Sequence, residues 1–414
     1  MAAHVFRGKG VRRPVTGALV VLLLLCTACQ GGRRGPGRLG DGVLNVGVSL
    51  SLTGQFAQEA RLMLDGYRLC ERRVNERGGL PVAGRRVRLK LHIRDDYSEP
   101  AAAARIVGMF ADRGYHLLLG PYGSQATAVA AAAAERNGQI LVNALGASDS
   151  ISERGYRNTF SVISPASEYA SSILFALREL ARPQPRRVVF LSADDDFSRS
   201  VTRAGERTAR SLGMRVLPTR YFRSGATDLS AALTRARKER PDLIIGAVHF
   251  AEGVVLVRQS RELGLDGTAI ALTVAAATAE LPQRLNGLAE GVIGVSQWVP
   301  RPENRDAWFG TADDYAAAYR SATGREPPYH AAAASASCLA LVLAVRRAGS
   351  DRAEPVRSAL AALDEPSFFG RIAFDARGRN AYKHMTVTQI QRGRPVPVWP
   401  AVAAESTLTW PGAR

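Results

Sequence analysis

YHLLLGPYGSQATAVAAAAAERNG, residues 115–138, begins as an apolar run and ends as an alanine-rich one. The apolar run YHLLL reads as a short strand that runs into Gly120-Pro121. From Ser124 the alanines make a strong helix former, stopped by Asn137-Gly138. A strand that runs through a glycine turn into a helix is one βα unit. Ser124 stands at the junction. It is either an N-cap for an orphan N–H group of the first turn, or a hydroxyl beside those N–H groups that meets a polar or anionic ligand. Spacing alone favours the cap.

The same alternation runs outward in both directions. Upstream, VLNVGVSL (43–50) is a strand, ARLMLDGYRLCERRVNERGG (60–79) a helix with a glycine stop, RRVRLKLHIRDD (85–96) an alternating strand, and EPAAAARIVGMFADRG (99–114) a helix with proline near its start. Downstream, QILVNAL (139–145) is a strand. After NTFSVISP the pattern restarts: strands in RRVVFLSADDD, MRVLPTRYF, DLIIGAVH and AIALTV alternate with helices in SEYASSILFALREL, SRSVTRAGERTARSLG, DLSAALTRARKERP and AEGVVLVRQSRELG. Alternating strand and helix predict parallel sheets covered on both faces. The fold expected is α/β, with two doubly wound parallel-sheet lobes of similar size. The last third is helix-rich, and RIAFDARGRN and HMTVTQIQRGRPVPVWP read as terminal strands joined by a polar turn.

The first forty residues differ. Arg7, Lys9, Arg12 and Arg13 precede the apolar run ALVVLLLL (18–25), too short for a comfortable membrane span. The expected arrangement is a signal peptide over 1–28. Thr27-Ala28-Cys29 resembles a bacterial lipobox, with Cys29 the lipidated residue, although Cys26 stands where leucine is usual. A Gly/Arg tether follows over 29–42.

The chain has 414 residues, 46% hydrophobic and 22% charged, a globular composition long enough for two lobes. The net charge of +18 comes almost wholly from scattered arginines, with no basic patch interleaved with aromatics, so nucleic acid is not an expected partner. Cys70 and Cys338 lie in helix-like stretches. Outside the cytoplasm they either pair or remain two buried thiols. Gly35, Gly37 and Gly40 match G-x-G-x-x-G but precede the first strand, where no dinucleotide turn can form. No metal spacing and no nucleophile–base pair is visible, so no cofactor, no metal and no enzyme activity are expected. What remains are the carboxyl ends of strands, the ligand crevice of open α/β sheets. There Asp194–Asp196 and Asp95-Asp96 read as loop solvation and helix capping.

SLTGQFA, VNERGGLPVAGRRVRL, DDYSEPAAAARIV, LLLGPYGSQAT, SERGYRNTFSV, LVRQSRELGLDG, LAEGVIG and FFGRIAFDARGRN stand in an order and spacing that resemble the leucine/isoleucine/valine-binding family of type I periplasmic binding proteins. The resemblance covers nearly the whole chain past Val43. It implies two lobes joined by a three-crossing hinge, divided as 43–163 with 298–371, and 164–297 with 372–400, and a tail over 401–414. It also implies a small ligand enclosed between the lobes, delivery to the permease and ATPase subunits of an ABC importer, and an extracytoplasmic place held at the membrane by the lipid anchor.

Carried over position by position, the resemblance puts the ligand carboxylate on Ser124, with Tyr122 and Gly123 beside it. Ala147 and Ser148 form the next binding loop. Phe197 and His249 close from the second lobe. The family's ammonium-pairing carboxylate falls near Thr273, where only a hydroxyl stands. An aromatic cleft position falls on Glu59, which either pairs an ammonium or faces solvent. A buried cation without a counter-ion is costly, so the expected ligand is an amino acid held differently, an amide or an organic acid. A sensory receptor of the same fold, passing occupancy to a regulator, is the alternative.

Overall fold

The computed structural model describes Leu39 and residues 42–410. Residues 1–28, where a signal peptide is expected, Cys29 and most of the expected tether lie outside the described residues, as do residues 411–414.

The first lobe opens with β1 (Val43–Leu50), α1 (Ala57–Glu76), β2 (Leu80–Val82), β3 (Arg85–Asp95) and α2 (Pro100–Asp112). It continues with β4 (Leu117–Leu119), α3 (Ser124–Arg136), β5 (Ile140–Asn143), α4 (Asp149–Glu153) and β6 (Thr159–Ser161). Its sheet runs β2-β3-β1-β4-β5-β6 and is parallel apart from the β2–β3 pair. The second lobe has α5 (Ser167–Leu180), β7 (Arg187–Ala193), α6 (Asp196–Ser211), β8 (Arg215–Val216), β9 (Arg220–Phe222) and α7 (Ser230–Lys238). Then come β10 (Leu243–Ala247), α8 (Phe250–Glu262), β11 (Ala269–Leu272), α9 (Glu280–Leu285) and β12 (Ile293–Ser296). MRVLPTRYF is thus two short strands rather than one, interrupted at Leu217-Pro218-Thr219, and both lie beside β7.

The chain then recrosses. The small hairpin β13 (Arg305–Asp306) and β14 (Gly310–Thr311) leads to α10 (Ala312–Thr323), α11 (Tyr329–Ala348) and α12 (Ala353–Ala361). A second small pair, β15 (Asp364–Glu365) and β16 (Ile372–Ala373), precedes the hairpin β17 (Thr386–Gln391) and β18 (Arg394–Trp399), which joins the second sheet through β12. RIAFDARGRN is therefore not a strand of the terminal hairpin. Ser161 bridges to Arg379, and Asn380 donates to the Val162 carbonyl. Residues 372–380 stay on the first lobe, and the chain leaves it beyond Asn380 rather than at 371. The tail folds back on the second lobe, where Trp410 donates to the Pro183 carbonyl and Thr409 exchanges hydrogen bonds with Gln389.

Helix α11 is buried on nearly every side, which its all-round apolar sequence requires. It is long and apolar enough to cross a membrane, but most of it is enclosed by the protein. Its alanines allow α1 to approach closely. Any side chain at Gly66 would collide with the Ala331 backbone, and Ser335 donates to the Gly66 carbonyl at 2.7 Å. Further along both helices, Cys70 and Cys338 form a disulfide, which settles the choice left open by the sequence.

The three crossings meet in one hydrogen-bonded knot. Gln297 on the second crossing accepts from Ser164 N at 3.0 Å and donates back to the Ser164 carbonyl at 3.1 Å. Ser164, on the first, donates its hydroxyl to the carbonyl of Lys383 on the third.

Candidate functional site

The carboxyl ends of both sheets face each other across the lobes, and the helices that follow them aim their N-termini at the gap. The glycines of GPYGS make this possible on the first side. Gly120 and Gly123 adopt φ of +79° and +81°, which side-chain-bearing residues avoid. A Cβ on Gly120 would also strike the Ser49 carbonyl. Ser124 is the first residue of α3 but not its cap. Gly123 holds that position, and no side chain caps the helix. The Ser124 hydroxyl instead accepts from Ser148 N at 2.9 Å, and its own proton has no acceptor among the described residues. The first turn of α3 therefore offers free N–H groups beside a free hydroxyl proton.

Ser148 reaches the second lobe, its hydroxyl lying 3.1 Å from that of Ser200. Ala147 is buried, and its carbonyl accepts from Ala166 N at the first crossing. Tyr122 crosses the gap, with its hydroxyl 3.1 Å from Nδ1 of His249. Phe197 packs its ring between Tyr169 and His249, at centroid distances of 5.1 and 5.4 Å. Phe56, which the sequence reading did not single out, packs on Tyr122 and His249 at 5.4 and 4.9 Å.

His249 is the centre of this arrangement. Its Nε2 stands 3.5 Å from Oδ2 of Asp195. Burial alone would lower the ring's pKa, but the Asp195 charge overrides it and pushes the pKa up to about 9. His249 is thus an imidazolium at neutral pH, and Nδ1 donates to Tyr122. Asp195 responds in the opposite sense. Burial raises it, but the facing imidazolium and the Ser198 hydrogen bonds bring it below its ordinary value. Asp195 does cap α6, accepting from Ser198 N at 2.9 Å, so that part of the sequence reading describes it. Its second task, holding His249, depends on a residue far away in sequence. Asp96 is fully buried rather than solvating a loop. It accepts from the Ser49 and Ser51 hydroxyls at 2.8 and 2.6 Å and ties β1 to the loop before α2.

Thr273 is spent on the backbone. Its hydroxyl accepts from Val248 N at 3.0 Å and donates to the Val248 carbonyl at 2.8 Å. It fixes the residue before His249 and adds no polar contact in the gap. Glu59 does not face solvent. It is 3% exposed, and Oε1 accepts from Phe250 N, in the other lobe, at 3.2 Å. Burial raises its pKa, with His249 opposing.

Two adjoining hollows lie among these groups. One, about 20 Å³, is lined by Ser51, Phe56, the Gly123–Ala126 turn, Asp195 and His249. The other, about 10 Å³, is lined by Tyr122, Ser124, Leu145, Tyr169, Phe197 and Tyr329. Each holds about one water, so neither has room for a metabolite with the lobes as they stand. The far larger groove of about 820 Å³ beside α1 and β3 belongs to one lobe and mixes Arg68, Arg72, Arg88 and Lys90 with Glu71 and Glu76. It is an open, solvated surface.

A family model described as periplasmic binding protein matches residues 43–395. Among curated relatives, a Leu/Ile/Val-binding protein of Rhizobium johnstonii is 24% identical over 55% of this chain, and the match spans 60% of that relative's length. Among solved structures, a leucine binding protein from Thermotoga maritima superposes with a TM-score of 0.77 at 22% identity, covering 86% of this chain and 98% of its own. A branched-chain amino acid transporter substrate binding protein from Streptococcus pneumoniae, in complex with isoleucine, gives 0.75 at 22% identity, covering 86% and 99%. A solute binding protein from R. palustris, in complex with benzoate, gives 0.75 at 16% identity, covering 89% and 99%. The two-lobed α/β architecture is that of the type I periplasmic binding proteins.

Proposed function

Because the chain belongs to the periplasmic binding protein family, we propose that it is an extracytoplasmic solute-binding receptor that captures a small amphoteric ligand of the amino-acid type. The captured ligand passes to the permease of an ABC importer, and Cys29 carries the lipid that keeps the receptor at the membrane. Hinge closure is the working step: a ligand that contacts both lobes favours the closed form by its differential affinity for it. No bond is made or broken.

The observation that carries the ligand class is the lining of the larger hollow beside His249. The first-turn N–H groups of α3 and the Ser124 hydroxyl stand on one side, and the Asp195 carboxylate stands on the other. A helix N-terminus suits a carboxylate. Asp195 is the carboxylate nearest an ammonium there, and the ammonium would share it with the His249 imidazolium, since Thr273 supplies none. The relatives named for leucine, isoleucine and valine support the same class. Aromatic rings around the second hollow would enclose the ligand's side chain.

A thermal-shift screen with matched pairs tests this: each amino acid beside the carboxylic acid that lacks its nitrogen. The amino acid should bind and raise the melting temperature, and the nitrogen-free acid should not. Asp195→Asn should weaken the amino acid about 10- to 100-fold, and Ser124→Ala by a similar factor, as expected for hydrogen bonds to charged groups. If the nitrogen-free acids bind as tightly as their amino partners, the ligand is an organic acid.

A further inference from the structure

Among the described residues, helix α8 has no side-chain cap from its own lobe. Its N-cap residue is His249, whose side chain makes no capping hydrogen bond and is engaged by Asp195 and Tyr122. The N–H of Phe250, first in the helix, goes instead to Oε1 of Glu59. Glu59 sits in the first turn of α1, on the opposite lobe. A helix start carries orphan N–H groups and the positive end of the dipole, and a carboxylate answers both. Here the carboxylate arrives across the gap.

The surroundings of Glu59 fit that role. Opposite it, the second lobe presents the His249 imidazolium and the Glu252 carboxylate. Its own lobe presents Tyr122 and Tyr329. Glu252 has its Oε1 taken by Gly225 N at 2.7 Å, and its buried Oε2 makes no hydrogen bond, so the Phe250 N–H is served by Glu59 and not by Glu252. Other contacts between the lobes flank the Glu59 bond. Gln55 donates to Ser224 at 2.9 Å, Tyr122 meets His249, and Ser148 meets Ser200. Asp149 likewise reaches the start of α5, accepting from Ser167 N and Oγ at 3.0 and 2.7 Å, but it does so beside the first crossing; among the contacts flanking the site Glu59 supplies the carboxylate that reaches a helix end.

We propose that Glu59 is a positioning residue that caps α8 from the opposite lobe, holding the lobes together and fixing His249 at the mouth of the site. When the lobes part, α8 loses this side-chain cap and Glu59 returns to water. Closure and the orientation of His249 are thereby one event.

The test needs no ligand, so it is independent of the ligand reading. Spin labels on Arg105→Cys in α2 and Arg237→Cys in α7, both exposed positions on opposite lobes, report the interlobe distance in the full chain with its disulfide intact. The unsubstituted protein should show a population at the closed distance. Glu59→Ala should reduce the closed-to-open ratio about 3- to 10-fold, the usual effect of losing a helix cap. Glu59→Gln retains an acceptor oxygen and should keep most of that population, a rescue that simple packing by α1 does not predict. A closed population that Glu59→Ala leaves unchanged, that Glu59→Gln loses equally, or that the unsubstituted protein lacks overturns the proposal.

Discussion

Replacing His249 by glutamine should remove a pH dependence of stability that the parent protein shows between about pH 6.5 and 9. The folded pKa of His249 is about 9 against an ordinary 6.5. A raised histidine pKa contributes stability that is complete below the ordinary value and is lost as pH rises through the folded one. Two to three pKa units correspond to about 3 kcal/mol. Dividing by an unfolding entropy of about 2.1 cal/mol/K per residue over roughly 370 ordered residues gives about 4 °C. Glu59, whose pKa is raised by burial, works in the same direction at lower pH. Lys383, whose pKa burial lowers, works in the opposite one, since a neutral lysine is favoured as pH rises. The comparison is therefore between parent and His249→Gln, measured by differential scanning calorimetry at pH 6 and pH 9.5 without reductant. The parent should lose about 4 °C more than the variant over that interval. Equal losses would mean that His249 is not charged in the folded protein and that Asp195 does not hold it.

Two further outcomes follow from the packing. Thr273→Val keeps the shape but leaves Val248 N without its acceptor, at a cost of about 1–3 kcal/mol or roughly 1–4 °C; an unchanged melting temperature would show that the hydroxyl does not hold the His249 loop. Reducing the Cys70–Cys338 disulfide should lower stability by about 2–4 kcal/mol, and amide exchange should quicken first in α1 and α11; uniform quickening across both lobes would argue that the bond does not act through that helix pair.

The alternation of strands and helices was legible because each element carries its own periodicity and its own stop signal. The strand-to-helix junction at Gly120–Ser124 was legible for the same reason, although Gly123, not Ser124, holds the cap position. The end of the first lobe was not. Residues 372–380 look like a strand in isolation, and their bridge to Ser161 and hydrogen bond to Val162, far back in the chain, keep them on the first lobe. Asp195 illustrates the limit at the site. Its capping role is local and could be read from DDDFS, but its charge partner is His249, brought near by the β7–β10 pairing. Thr273 shows the converse. Its position could be matched, yet the direction of its hydroxyl depends on the end of β10, which lies alongside it.

The disulfide joins two helices of the first lobe, but 268 residues separate its ends, and the entire second lobe through β12 lies between them. The part of that lobe from α5 through β12 is therefore a detour on a covalently closed circuit. A single protease cut within that stretch divides the polypeptide without dividing the molecule, because both pieces stay joined through sulfur until a reductant is added. That stretch of the second lobe can be nicked at an exposed loop and remain attached to the half that holds Ser124.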